Sequence, residues 1–312
     1  MKYNILSILM IAIVLFSSCE NELENKLNFD VNVIPAANIQ IVDTVITAPK
    51  GTQIKFNFNG EPDFISFSYS LFNSTKSVLT FNAQPAWGTH IQNTLKVYLA
   101  ETSDTLLLNN AKQDSINIAN RQWVDISALC NLPTTANTNL KSSVSLNDYR
   151  GKKVVLAFRY KTEYAADWQP TWTISNLQIN DTVISTNVKS ASTIAAALSF
   201  KPFDMLNLSN PYQSADAAGV WNVANAASIV MKRTPSGNAL NTDWLISKPI
   251  LIPEGVTTLS NPVPVKNTTS SVESYTYQFA NSGVYTVVFK ASNWNYQFNE
   301  SAVKRFKVII PD

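Results

Sequence analysis

The sequence predicts an all-β protein folded as packed sandwiches, and three observations predict it. From Asp30 onward, apolar residues recur with period two in short stretches rich in β-branched and aromatic types. Long helical periodicity is missing; only SASTIAAALSF, residues 190–200, reads as helical, and it is short. Asn-Gly, Asp-Tyr-Arg-Gly, Asn-Ser-Gly and prolines punctuate the stretches as turns. A strand with one apolar face must bury it, and strands alone do so by packing sheet on sheet.

The elements follow in order. DVNV, IQIVDTVITA and TQIKFNFNG open the series, and in the last of these Ile54, Phe56 and Phe58 point one way while Lys55 and Asn57 point the other. In EPDFISFSYS, Phe64, Ser66 and Ser68 oppose Ile65, Phe67 and Tyr69. A second set begins near Ser77 with SVLTFNAQ, TLKVYLAE, RQWVDIS, KKVVLAFRYK and TWTISNLQIND. Val154, Leu156, Phe158 and Tyr160 share one face, opposite Val155, Ala157 and Arg159; Trp172, Ile174 and Asn176 share a face of the next strand. GVWNVANAASIVMKR, DWLISKPILI, SYTYQFANSGVYTVVFKASN and VKRFKVIIPD complete the chain.

The N-terminus is built differently. Lys2 precedes an apolar run from Ile5 to Phe16, a length that suits a secretory signal and falls short of the ~20 residues that span a bilayer. Ser17 and Ser18 then stand before Cys19, and this resembles the bacterial lipobox, with Phe16 where leucine is more usual. The resemblance implies that residues 1–18 are removed and that acylated Cys19 anchors the protein through its lipid chains alone. Residues 19–30 read as a polar, acidic tether, and Glu20, Glu22 and Glu24 resemble the export signal of Bacteroidota surface lipoproteins. The implied location is the outer membrane, facing the cell exterior.

Without residues 1–18 the side chains carry 23 basic and 22 acidic residues, so neither nucleic acid nor a strongly charged partner is called for. Charged residues make up only 15% of the chain, against abundant Asn, Ser and Thr, a surface suited to uncharged ligands such as sugars. With Cys19 lipidated, Cys130 is the remaining cysteine, which excludes an intramolecular disulfide and a cysteine-based metal site and makes it a buried structural thiol.

Two blocks carry family resemblances. WVDIS, LNDYRGKKVVLAFRYK and TWTISNLQI resemble the jelly-roll module of cleaved-adhesin (choice-of-anchor) proteins, with Ser175 at the usual closing Asp and an insertion over residues 128–144. GTQIKFNFNGEPDFISFSYS resembles the first half of a PKD/Ig-like sandwich, and SYTYQFANSGVYTVVFKASN with VKRFKVII resembles the second. Each half is too small alone, and together they approach the ~100 residues of one Ig-type domain. The predicted organisation is therefore a PKD-like domain from residues 31–74 and 252–312, with a jelly roll over 75–251 inserted. Tandem domains are the competing arrangement. The whole chain resembles a family of Bacteroidota surface lipoproteins often linked to polysaccharide-utilisation systems, and its motifs specify fold better than function.

Chemistry has few candidates. His90 is the lone histidine and there is no Gly-x-Ser-x-Gly turn, so nucleophilic triads and zinc sites lack their residues. A glycosidase needs two carboxylates across a cleft; Asp114, Asp125, Asp148 and Asp243 are among those available, but sequence does not pair them, and Asp125 and Asp148 suit turns. No cofactor is expected; a structural calcium stays open, with no ligands assigned. The expected role is non-catalytic: binding of polysaccharide or oligosaccharide, working with an outer-membrane transporter complex. Stacking on sugars needs flat aromatic faces among neutral hydrogen-bonding groups. EYAADWQPTW supplies Tyr164, Trp168 and Gln169, ASNWNYQFNE supplies Trp294 and Tyr296, and NAQPAWGTHIQN supplies Trp87. Trp168 and Trp294 are the preferred exposed pair; Trp123, Trp172 and Trp244 sit in strand patterns and read as core. An adhesin or structural surface protein binding host or matrix proteins is the alternative.

Overall fold

The computed structural model describes residues 27–162, 168–234, 240–294 and 299–311. Among them strands dominate, and they form sandwich-like arrangements in two compact units. Among the described residues, one unit takes in residues 27–72 together with Thr257 onward; the other is Asn73–Val256. Residues 1–18, expected to be a signal segment, and Cys19 lie outside the described residues. No helix among the described residues is long and apolar enough to cross a membrane.

In the two-ended unit, Gln53–Asn59 pairs antiparallel with Asp30–Val33 on one side and Ser274–Gln278 on the other. The opposing layer joins the first part of Phe64–Ala86 to Gly283–Trp294, which pairs along its length with Asn299–Ile310. Val45–Thr47 then adds parallel to that last strand. Alternation puts Phe56 and Phe58 inward from one layer and Phe67, Phe289 and Phe306 inward from the other. The Phe56 and Phe289 rings lie 5.0 Å apart, and Phe67 and Phe289 5.3 Å apart. Aromatic pairs at such distances add directional packing to the area they bury. Phe29 is buried in this core with Leu27 against it, so the last residues of the stretch read as a tether join the fold.

In the other unit, the second part of Phe64–Ala86 lies between Thr171–Val183 and Leu140–Ser145. Ser228–Met231 and Trp221–Asn222 extend that layer beyond Thr171–Val183. The second sheet runs Lys201–Asp204, Thr242–Ile246, Lys153–Lys161, Leu95–Glu101, Val124–Asp125. Leu79, Phe81, Val154, Leu156, Phe158, Tyr160, Trp172 and Ile174 fill the space between the layers. Val155, Ala157, Tyr98 and Trp244 form a smaller core on the other face of the second sheet. Both faces of Lys153–Lys161 are thus covered, as its nearly unbroken apolar run requires.

Several expectations need correction. The segment AKQDSINIAN forms a helix, Ala111–Asn120, that the sequence pattern did not announce, whereas residues 189–194 are strand and only Ala195–Leu198 is helical. Ile118 is its one buried apolar side chain, so amphipathic periodicity had little to show. The helix is held by polar contacts instead. The Asn110 side chain accepts the Gln113 N–H at 3.1 Å, and buried Asp114 accepts from the Leu108 N–H at 2.9 Å, the Asn110 N–H at 3.3 Å and the Tyr212 hydroxyl. Asp114→Asn, which loses one acceptor oxygen among these donors, is expected to lower the unfolding free energy by about 2 kcal/mol in urea denaturation. Asn176 does not share the inward face of Trp172 and Ile174. It has a left-handed backbone (φ 53°) within a bulge, and the inward positions resume at Leu177 and Ile179.

Candidate functional site

Trp87 and Trp168 meet at one site in the Asn73–Val256 unit. Trp87 follows the end of strand Phe64–Ala86 and Trp168 precedes Thr171–Val183, which pairs with it, so their loops leave the sheet side by side. The Thr89 N–H donates to the Trp168 carbonyl at 2.9 Å and fastens the two loops. The Arg233 guanidinium completes the group, 4.9 Å from the Trp168 ring centre and 5.8 Å from that of Trp87. Trp87 is 62% exposed and Trp168 51% exposed, so both indoles keep surface in water while sharing one cation.

The turn beneath is conformationally costly. Trp87 has φ 64° and Gly88 φ 84°, two left-handed residues in succession. For a bulky side chain this is an outlier, and such backbone persists only where the surroundings hold it. At Gly88 a Cβ would fall 2.8 Å from the Pro170 nitrogen, so both the dihedral and the space require glycine. Gly88→Ala is expected to cost about 1–2 kcal/mol and to shift the tryptophan emission maximum as the turn moves away from Pro170.

Gln169 holds the site from below. It is 2% exposed, and its Oε1 accepts from Asn241 Nδ2 at 2.6 Å and the Thr234 N–H at 3.2 Å. The Arg233 N–H donates to Thr171 Oγ1 at 3.1 Å, and the Tyr160 hydroxyl donates to the Pro170 carbonyl at 3.0 Å. Burial pushes the Tyr160 phenol far above its ordinary range, so it stays a neutral donor. Gln169 is thus a buried residue beside Trp168 whose bond to the Thr234 N–H ties the segment carrying Arg233 to the same point.

Trp294, 61% exposed, belongs to the other unit at the end of strand Gly283–Trp294, where Phe64 lies 6.0 Å away centre to centre. The partner that the structure gives Trp168 is Trp87. Tyr164 and Tyr296 lie outside the described residues. Trp172 and Trp244 are buried, as their strand patterns implied, and Trp123 is partly buried, stacked on Trp244 at 5.0 Å. Arg233 and Trp221, which is buried, were not singled out by sequence; a lone arginine carries no signal of the rings it meets.

The other candidate groups have structural partners. Asp125 accepts the Ser127 N–H at 2.9 Å and pairs with Lys96 at 2.9 Å. Cys130 is partly buried, donates to the Ile126 carbonyl at 3.4 Å, and is pushed up to about 12, chiefly by desolvation, so it is an inert thiol. Asp243 differs. It is buried opposite Asp204, and desolvation first, then the charge of Asp204, pushes its carboxyl up to about 8.

A family model described as a domain of unknown function (DUF5017) matches residues 18–198, more than half of the chain. Comparison with curated proteins and with solved structures gives no match. The matched segment contains both tryptophans of the site; Arg233 lies beyond it.

Proposed function

The chain belongs to the DUF5017 family, and on that footing we propose that it is a lipid-anchored cell-surface protein that holds a glycan without transforming it. The observation that carries this reading is the clamp itself: two half-exposed indoles about one guanidinium, set on a strained turn. Indole faces pack on the apolar face of a pyranose, and the guanidinium fork donates hydrogen bonds to hydroxyls. Neutral glycan suits a chain of near-zero net charge.

The finer family reading has support of its own. The Tyr285 hydroxyl donates to the Asn281 carbonyl at 2.6 Å, as in an Ig-type tyrosine corner, which favours a PKD/Ig-like identity for the two-ended unit. Antiparallel layers about one core favour a jelly roll for the other. Cys19 after Ser17 and Ser18 supports lipidation and display at the outer membrane, where captured polysaccharide would pass to an uptake system. An adhesin is the second reading, favoured because tryptophan and arginine are also the side chains that dominate protein-binding hot spots.

Affinity gel electrophoresis of the Cys19→Ser chain against neutral α- and β-glucans, xylans and mannans tests the proposal. Retardation by at least one polymer, lost in Trp168→Ala, is the expected result. No retardation, or equal retardation of the variant, rejects glycan binding at this site. Release of reducing ends by the purified protein rejects the non-catalytic reading.

A further inference from the structure

Asp204 and Asp243 stand directly opposite each other in the register of Lys201–Asp204 and Thr242–Ile246. Like charges facing across neighbouring strands destabilise a sheet unless something lies between or beside them. Asp243 is 3% exposed, and its Oδ2 is buried without a hydrogen-bond partner. Among the described residues no lysine or arginine forms an ion pair with either carboxylate. A buried carboxylate in that condition must take up a proton or a cation.

The surroundings favour the cation. Asp204 and Asp243 line a cavity of about 340 Å³, together with Asn207, Asn210, Gln213 and Asn241. Asp204 Oδ1 is fixed by the N–H groups of Leu206 at 2.7 Å and Asn207 at 3.1 Å, so the carboxylate is held in place before any ligand arrives. Asn241 gives its amide protons to Gln169 and Thr234, which leaves its oxygen as the unused end. That oxygen lies 2.9 Å from where a Cβ on Gly219 (φ +70°) would sit, so glycine keeps the space beside it open. Two carboxylates with several neutral oxygens and neither thiolate nor imidazole form a hard-cation donor set.

We infer that this cavity is a divalent-cation site of calcium type, with Asp204, Asp243 and the oxygens of Asn210 and Asn241 as its protein ligands. The site is separate from the glycan reading and stands without it. A calcium ion takes six to eight oxygens, so the remaining positions fall to water or to neighbouring amides.

Scanning fluorimetry and isothermal titration on the EDTA-treated chain test the inference with calcium alone as probe. Calcium is expected to raise the melting temperature with a midpoint near ~10⁻⁴–10⁻³ M, the range of extracellular modules, and magnesium to act far more weakly. Asp243→Asn should lose the calcium-dependent shift, whatever its own melting temperature. Asp204→Asn keeps an acceptor for the Leu206 and Asn207 N–H groups, so it tests the charge even if Asp243→Asn does not fold; affinity should fall at least about tenfold. Trp221 also lines the cavity and Trp244 adjoins Asp243, so bound terbium should show tryptophan-sensitised emission that Trp221→Phe weakens while the calcium shift persists, and absence of that emission would count against the site. No calcium response in the parent chain, or an undiminished response in both aspartate variants, overturns the inference.

Discussion

Trp87→Asn is expected to weaken glycan retention about 10- to 100-fold while leaving stability within about 0.5 kcal/mol of the parent. The two effects come from different parts of the residue. The backbone at φ 64° suits asparagine, which visits the left-handed region readily, and relief of that strain gains about 1 kcal/mol. Loss of the contact between Arg233 and the ring costs a similar amount, about 0.5–1 kcal/mol at an exposed position. The indole's outer face has no compensating partner, so the binding loss stands alone. Paired titrations and urea melts on the same preparation read both quantities. Parent-like affinity in Trp87→Asn would remove Trp87 from the site, and a large drop in stability would assign the residue to folding instead.

Asp243 is expected to make the protein, in chelator, progressively less stable as pH rises from about 4 to about 8. The sign follows from proton counting. Its carboxyl is held up to about 8 when folded, whereas an unfolded aspartate releases its proton near ~3.9. Between those values the folded chain binds a proton that the unfolded chain has lost, so stability is complete below the window and declines through it. The slope is at most about 1.4 kcal/mol per pH unit, giving an upper bound of about 6 kcal/mol. Tyr160 feels the Asp243 charge and Asp204 faces it, and both remain in the Asp243→Asn variant, whose melting profile should be flat by comparison. Urea melts at pH 5 and pH 8 on both proteins give the difference directly. Equal pH dependence in the two would show that Asp243 ionises without strain.

Much of this architecture could be read from period-two patterns. Ile54, Phe56 and Phe58 are buried as their alternation required, and Val154 to Tyr160 divide between two cores as a strand covered on both faces must. The failures share a cause. The helix Ala111–Asn120 is held by a buried carboxylate and a cap, neither of which leaves an apolar stripe. Asn176 broke the alternation through a bulge, and a bulge is a backbone event without a dedicated side chain. At the site, composition made Trp87 and Trp168 candidates, but nothing local could bring Arg233 to both rings or set Asp204 across from Asp243. Those pairings arise from strands far apart in the chain, and they become visible only once register is known.

The unit made from both chain ends has a consequence for synthesis. Strand Gln53–Asn59 pairs with Ser274–Gln278, and its Phe56 packs on Phe289 and Phe306. An emerging polypeptide therefore cannot complete this core until Phe306 has been translated, about 250 residues after Phe56, and closing so long a loop is slow. Loss of residues 283–310 would strip Phe56 of its ring partners and leave the early strands with unpaired edges, so a copy cut short there would expose sticky surface and invite proteolytic removal.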